Sequence, residues 1–371
     1  MGHALRWLLA TSIVVFGAGL ARTGIASAGP EVEDIFRLKE RSYAQVLASY
    51  QAEGRTVIRD VDITLPATRY VAAEGDIHVA QAVAGEGPVL MWRDEEGWVE
   101  WEVDIPKSGL YNIELRYYPL PGKRASIQRD LKIDGEYPFV EAKKLLFDRT
   151  WRDAGQPTTD NRGDHVRPGQ VEAPMWRTVR LRDADAMHTR PFLFYLGAGK
   201  HRLRMSGIRE PFAIKYLRIC PEEEILAYAD VVKEYRRRGY EPAEGVVIKI
   251  QAEDAALKSD PTIRREYGED PLSEPISYEH KLLSEFGGMR WRKGNQFVSW
   301  TFSVPKSGLY QIAMRVWQIW SHEPIYREIR IDGKVPFEEL LEVPFREDLR
   351  WRMKVLSDDR GEPYLLYLEK G

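Results

Sequence analysis

Apolar and polar residues alternate in short runs along most of the chain, and one such run occurs twice. GWVEWEVDIPKSGLY at 97–111 and QFVSWTFSVPKSGLY at 296–310 place Trp101, Pro106, Gly109 and Tyr111 in the same order as Trp300, Pro305, Gly308 and Tyr310, each 199 residues further on. Every second residue of WEVDIP and WTFSVP is apolar, the period of a strand with one buried face. The alternation assigns Trp101, Trp300, Tyr111 and Tyr310 to a core. Proline cannot donate to a ladder and glycine tolerates positive φ, so PKSG predicts a corner before the next strand, NIELR or QIAMR. A second matched block, RDLKIDGEYPF at 129–139 and REIRIDGKVPF at 327–337, carries Asp-Gly after its strand, the pair suited to a two-residue hairpin turn.

Two segments follow a helical period instead. One is 31–53, with Ile35, Leu38, Tyr43, Val46, Leu47 and Tyr50 as its stripe and Gly54 as a stop; the other is 221–238, opened by Pro221 and a run of glutamates. SYAQVLASYQAEG at 42–54 and AYADVVKEYRRRG at 227–239 match each other, so the repeated unit is helix plus sandwich. The predicted fold is mostly β: two tandem jelly-roll-like antiparallel β-sandwiches, each preceded by a helix. The helix of 29–54 leads to a sandwich over 55–220, and the helical linker 221–241 leads to a second sandwich over 242–371.

The repeats differ in their insertions. The first carries a long polar segment between Phe139 and Trp176 containing Asp160, Asn161, Arg162, Asp164, His165 and Arg167, a set able either to bind hydroxyls or to pack against a neighbouring domain. The second has its own insertion at 260–281. PYLLYLEKG at 363–371 matches PFLFYLGAG at 191–199, after which the first repeat continues through KHRLRM and FAIKYLRI. The second sandwich is therefore expected to lack its last two strands, and the chain reads as a fragment of a longer protein.

Composition narrows the function classes. The 371 residues carry 54 basic and 57 acidic side chains, a formal net charge of −3, which gives no field for nucleic acid or an anionic surface. Eleven tryptophans and eighteen tyrosines are a surplus for core or for flat binding platforms. Arg6, the apolar run Trp7–Leu20 and Ala26-Ser27-Ala28 predict a secretory signal over 1–28 and an extracellular location; retained, the same run would be the one membrane contact. Cys220 is the only cysteine, so no intramolecular disulfide forms, and core filling is its expected role.

There is no GxSxG, no HExxH and no phosphate-cradling glycine loop with a lysine, and one cysteine excludes Cys/His zinc spacing. The expectation is a non-catalytic protein. Trp92 and Trp291 sit nine residues before the framework tryptophans, each followed by arginine, Arg93 and Arg292. On a loop their indoles would stack on a pyranose face; at a strand end they would plug the sandwich. Trp151, Trp176 and Trp351 carry the same two readings. Trp317 and Trp320 are an odd step apart, so in a regular strand only one faces the core and the other is a candidate platform. Asp160, Asn161 and Arg162 are candidate hydrogen-bonding partners. Glu253, in QAED at 251–254, is either a calcium ligand or a strand start.

QAED, Gly287-Gly288, FVSWTFSVPKSGLYQIAMR and the later IDG resemble the jelly-roll carbohydrate-binding modules of secreted polysaccharide-degrading proteins. The resemblance implies sugar binding in loops and a structural calcium held in part by Glu253; ITLPA at 63–67 departs from it in the first repeat. Over nearly the whole mature chain, the order of helix, sandwich, DNRGDHVRPGQVEAPMW at 160–176, helix, VVIKIQAEDAALKSDPT and GEPYLLYLEKG is similar to the N-terminal part of large extracellular solute-binding proteins of carbohydrate ABC transporters in Gram-positive bacteria. That likeness implies a carbohydrate partner and an ABC permease engaged through a solute-binding domain absent from these residues. The lipid-anchor cysteine usual there is also absent. Two other readings stand beside it: a purely structural interdomain module, and an accessory module of a polysaccharide-degrading enzyme.

Overall fold

The structure, a computed structural model, describes residues 40–268 and 270–371. The predicted signal and the first part of the predicted 31–53 helix lie outside the described residues. Helix α1 (Tyr43–Ala52) starts at Ser42, whose hydroxyl accepts from the Gln45 N–H while the Gln45 side chain accepts from the Ser42 N–H. That reciprocal cap satisfies two of the open donors of a helix start.

The first sandwich follows. In chain order its strands are β1 (Ile63–Pro66), β2 (Ala72–Glu74), β3 (Ile77–Ala80), β4 (Val89–Trp92), β5 (Trp98–Ile105), β6 (Gly109–Pro119), β7 (Ile127–Ile133) and β8 (Leu145–Phe147). After the insertion strands β9 (Trp151–Asp153), β10 (Thr158–Thr159), β11 (His165–Val166) and β12 (Gln170–Glu172) come β13 (Arg177–Arg180), β14 (Phe194–Leu196), β15 (Gly199–Arg209) and β16 (Phe212–Cys220). One sheet has the order β2-β5-β15-β7-β8; the facing sheet runs β13-β6-β16-β4-β3, with β1 beside β16 and β14 beside β6. Alternate residues meet between them in one core that includes Trp92, Trp101, Tyr111, Tyr117, Leu131, Phe194, Leu203, Phe212 and Leu217. Cys220 is buried and unpaired, as a core filler is. The Asp-Gly turns form as predicted, with Asp134 at φ +54° and Gly135 at +88°, and Asp332 at +49° and Gly333 at +78°.

Helix α2 (Tyr228–Arg238) introduces the second repeat and ends at Gly239 in the left-handed region, φ +67°. It starts seven residues later than the predicted 221. The glutamates 222–224 are not helical; the N-terminus is instead set by Glu339, whose carboxylate accepts from the Tyr228 N–H at 2.9 Å. Glu141 does the same for α1, accepting from the Tyr43 N–H at 2.7 Å. Each helix is also pinned by its first tyrosine, Tyr43 Oη accepting from Leu193 N at 3.0 Å and Tyr228 Oη from Leu365 N at 2.8 Å. The repeat in sequence is thus a repeat in hydrogen bonding.

The strands of the second repeat are β17 (Leu257–Lys258), β18 (Arg265–Tyr267), β19 (Leu283–Phe286), β20 (Val298–Ser299), β21 (Gly308–Tyr310), β22 (Ala313–Val316), β23 (Ile325–Arg327), β24 (Val343–Phe345), β25 (Arg352–Val355) and β26 (Leu366–Leu368). They pair as β18-β19, β21-β26, β22-β25 and β23-β24, antiparallel throughout. A four-stranded sheet crosses between the repeats, in the order β12-β9-β17-β20. Residues 41–371 form one compact unit.

Candidate functional site

The long insertion of the first repeat is a strap on the second. Asp153 on β9 accepts from Lys258 Nζ at 2.7 Å and from Arg265 Nε at 2.8 Å. Further along, His165 N–H donates to Lys281 O at 2.9 Å, Asp164 accepts from Lys281 N–H at 2.8 Å, and Arg167 pairs with Glu266. At the tip, Asp160 spends its carboxylate on the N–H groups of Arg162 and Asp164, closing a turn, while the Asn161 and Arg162 side chains are exposed. Asp164, His165 and Arg167 thus make packing contacts with the second repeat.

Trp92 is fully buried. The guanidinium of Arg129 lies 4.4 Å from its ring centre, Phe212 packs beside it and its Nε1 donates to Glu96 O at 2.9 Å. As a stacking platform it is therefore corrected: no face of the ring is open. Its backbone sits in β4 rather than in a loop, which is why the indole points into the core. Trp291 is half-buried, with Arg327 4.9 Å over its ring and Phe286 at its edge. Arg93 and Arg292 are both exposed. Trp151 is buried and Trp176 half-buried.

Neither member of the Trp317 and Trp320 pair faces the core, since β22 ends at Val316 and the alternation stops with it. Trp320 is 72% exposed on a loop organised by Gln318, whose side-chain oxygen accepts from Trp320 N at 2.8 Å and whose amide donates to Ser321 O at 2.8 Å. Trp317, 45% exposed, meets Trp351 with ring centroids 5.8 Å apart and planes inclined at 38°. The two indoles line an open cleft of about 520 Å³ together with Tyr267, Asp270, Pro271, Glu285, Arg315 and Arg350.

The walls of this cleft are held from several directions. Arg315 Nε donates to Asp270 at 2.7 Å, and the Asp270 side chain is 7% exposed, so it serves to orient the guanidinium. Tyr267 donates its hydroxyl to His165 O at 2.8 Å, so the strap fixes one wall. Asp348 N–H donates to Gln318 O at 2.8 Å and ties the loop before Trp351 to the loop after Trp317. Apolar ring faces beside fixed guanidinium and carboxylate groups are the chemistry that takes a pyranose, flat on one side and bearing hydroxyls at its rim.

The first repeat has the same aromatic pair, closed. β22 pairs β25 with Arg315 opposite Met353 as β6 pairs β13 with Arg116 opposite Thr178, which aligns Trp317 with Tyr118 and Trp351 with Trp176. Tyr118 and Trp176 lie 5.5 Å apart at 50°, and Arg116 pairs with Glu86 as Arg315 pairs with Asp270. There, however, Val83 O accepts from Trp176 Nε1 at 3.0 Å, and both rings pack, with Ala80 and Val83, against the buried cluster of Val89, Met91, Leu120 and Ala213. In the second repeat Tyr267, Asp270 and Pro271 of the insertion line the cleft beside the two indoles. The 199-residue offset was a signal for Trp317; the partnership with Trp351 lay in the register of two strands and had no sequence signal of its own.

Glu253 is buried, and burial pushes its carboxyl above the usual carboxylate range. Among the described residues no group of three or more His, Cys, Asp or Glu side chains converges to hold a metal. No helix among the described residues is long and apolar enough to cross a membrane.

No protein-family model matches the sequence, and no curated protein matches it. Among solved structures, the chain is similar to the GH26-CBM35 β-(1,4)-mannanase of Podospora anserina, at 12% identity over 49% of this chain and 35% of that one, TM-score 0.28. It is similar also to a family 35 carbohydrate binding module from Clostridium thermocellum, at 16% identity over 43% of this chain and 97% of that one, TM-score 0.26. A third is the carbohydrate binding module CBM6cm-2 from Cellvibrio mixtus lichenase 5A in complex with cellotriose, at 19% over 46% of this chain and 99% of that one, TM-score 0.23. At TM-scores this low the likenesses define no ligand for this chain. Its mostly β, antiparallel architecture rests on its own strand pairing.

Proposed function

We propose that the protein binds carbohydrate without transforming it, through the cleft of Trp317 and Trp351. The observation that carries this reading is the open indole pair beside an arginine that Asp270 holds in place. A sugar ring would stack on the indoles, with Arg315, Arg350 and Glu285 as hydrogen-bonding groups at the rim and Trp320 extending the platform. The host assembly is proposed as either a carbohydrate-uptake receptor with an ABC permease or a polysaccharide-degrading enzyme, in both cases exported. Calcium, held in part by Glu253, is proposed as a support of the second repeat.

The test is calorimetric titration of the whole chain with soluble plant and bacterial polysaccharides, with and without calcium. Saturable heat that falls at least tenfold in affinity in Trp317→Ala and Trp351→Ala, with Trp92→Phe unchanged, is the expected result; tenfold corresponds to about 1.4 kcal/mol. Equal binding by the double variant would overturn the assignment of the site, and no binding to any polysaccharide would overturn the function. The second outcome would favour a purely structural module, the reading that the strap contacts of Asp153 and Arg167 support.

A further inference from the structure

The outer face of the β22 and β25 pair can be compared row by row with that of β6 and β13. One backbone bond fixes the alignment: Leu181 N–H donates to Ile113 O at 2.8 Å, and Leu356 N–H to Ile312 O at 3.0 Å. Ala313 then lies opposite Val355 where the first repeat has Glu114 opposite Arg180, and Arg315 opposite Met353 where it has Arg116 opposite Thr178. Residues two apart on a strand point the same way, so these side chains share the face that carries Trp317 and Trp351. Ile312, Met314 and Val316, one step out of phase, pack on the buried core of the second repeat instead.

The first repeat makes this face polar. Glu114 lies 3.8 Å from Arg180 and 3.3 Å from Arg218, and the Thr178 hydroxyl accepts from Arg116 at 3.0 Å. That is the usual outward face of an antiparallel sheet whose other face is core. In the second repeat the arginine is kept and each of its neighbours in these rows is apolar: Ala313 for Glu114, Val355 for Arg180 and Met353 for Thr178. Met353 is 59% exposed, and Trp320 with Leu349, 82% exposed, continues the apolar surface on the loops beyond the indoles. Single exposed apolar side chains need no explanation, but a contiguous row on an outward sheet face marks an interaction surface. From Trp351 through Met353 to Val355 the row advances about 13 Å, at about 3.3 Å per residue, which is longer than one pyranose.

We infer that the cleft of Trp317 and Trp351 continues into an extended subsite on the β22 and β25 face, and that this subsite takes the interior of a linear polysaccharide. Consecutive sugar rings would lie along the indoles, Met353 and the Ala313 and Val355 row. The inference rests on the carbohydrate-binding reading above and adds to it the class of ligand: a chain several sugars long, as opposed to a chain end or a free monosaccharide. Apolar side chains receive the flat faces of the rings. Arg315 meets a methionine where Arg116 meets a threonine hydroxyl, so beside its pairing with Asp270 it keeps a guanidinium N–H for a sugar hydroxyl.

The test is titration of the whole chain with cello-, xylo- and manno-oligosaccharides of two, four and six residues, beside the soluble polysaccharides. In the series that binds, affinity is expected to rise about tenfold or more from two residues to six, the effect of burying one methionine-sized side chain. The triple variant Ala313→Glu, Met353→Thr, Val355→Arg rebuilds the rows of the first repeat, so it should fold, which its thermal midpoint checks. In it the ratio of six-residue to two-residue affinity is expected to collapse toward one. Equal affinity for two and six residues in the parent chain, or a triple variant that keeps the parent's ratio, overturns the inference and leaves the indole cleft as a site for a short ligand. Where only a polysaccharide binds, the triple variant is titrated with that polysaccharide, and unchanged affinity overturns the inference. It falls equally if the parent chain is a dimer with the amides of 313–316 and 352–355 protected, which would give the face to a second copy. Absence of binding to every oligosaccharide and polysaccharide is a different result, since it removes the carbohydrate reading itself.

Discussion

Asp153 of the first repeat and Lys258 of the second form an ion pair at 2.7 Å in which the lysine side chain is 1% exposed. Arg265 joins the same carboxylate from the second repeat. Burial raises the Asp153 pKa, but the hydrogen bonds from Lys258, Arg265 and Gln170 outweigh it and hold the carboxyl below its usual range. Removing one partner of such a pair strands a buried charge and costs about 3 kcal/mol or more. Asp153→Asn is therefore expected to release the strap, read as faster proteolysis within 154–163, while Asp153→Leu with Lys258→Met restores most of the protection.

The same pair has a pH signature. A depressed carboxylate contributes stability that is complete above its ordinary pKa, 3.8, and is lost as pH falls through the lower folded value. The strap should thus stay protected at pH 5 and become cleavable by an acid protease only as pH falls well below 3.8.

Asp148 should act with the opposite sign. Burial lifts its pKa from 3.8 to about 6, offset in part by the Arg177 guanidinium. The folded chain therefore holds this proton more tightly than the unfolded one, and stability falls as pH rises from 3.8 to about 6, then levels. Asp148→Asn is expected to flatten that slope and to stabilise at pH 7 by about 2 kcal/mol, discounted for partial exposure. Denaturant titrations at pH 4 and pH 7 would show it; an unchanged slope would mean the proton is not held there.

Trp176 and Trp351 should respond differently to the same change. Trp176→Ala removes a half-buried ring packed against the cluster of Val89, Met91, Leu120 and Ala213, with its hydrogen bond to Val83 O, and is expected to cost about 3 kcal/mol. Trp351→Ala opens a cleft wall and should cost less than about 1 kcal/mol. Thermal midpoints of the two variants would test the closed and open pairs directly.

Tyr43→Phe leaves the Leu193 N–H without its acceptor, at a cost of about 1–2 kcal/mol. Glu141→Gln weakens the charge at the α1 N-terminus by about 0.5 kcal/mol. Both are expected to lower the thermal midpoint, the first by more.

Much of the fold was legible because strand period, Asp-Gly turns and an internal repeat are local or self-referring signals. Trp101 and Tyr111 could be assigned to the core from alternation alone, and both are fully buried. The start of α2 could not, since Glu339, more than a hundred residues away, caps Tyr228 and overrides the favourable glutamates at 222–224.

The alternation of WEVDIP and WTFSVP, the corners at PKSG and the paired helices determined by themselves that the chain is mostly β and built twice on one plan. Which tryptophans meet solvent was decided only in three dimensions. Trp92 and Trp351 are each followed by an arginine, yet the first is closed by Arg129 and Phe212 and the second lines a cleft beside Trp317. Periodicity reports which face of a strand turns inward. It carries no record of what a distant segment lays over the outer face, and that covering separates a core aromatic from a binding surface.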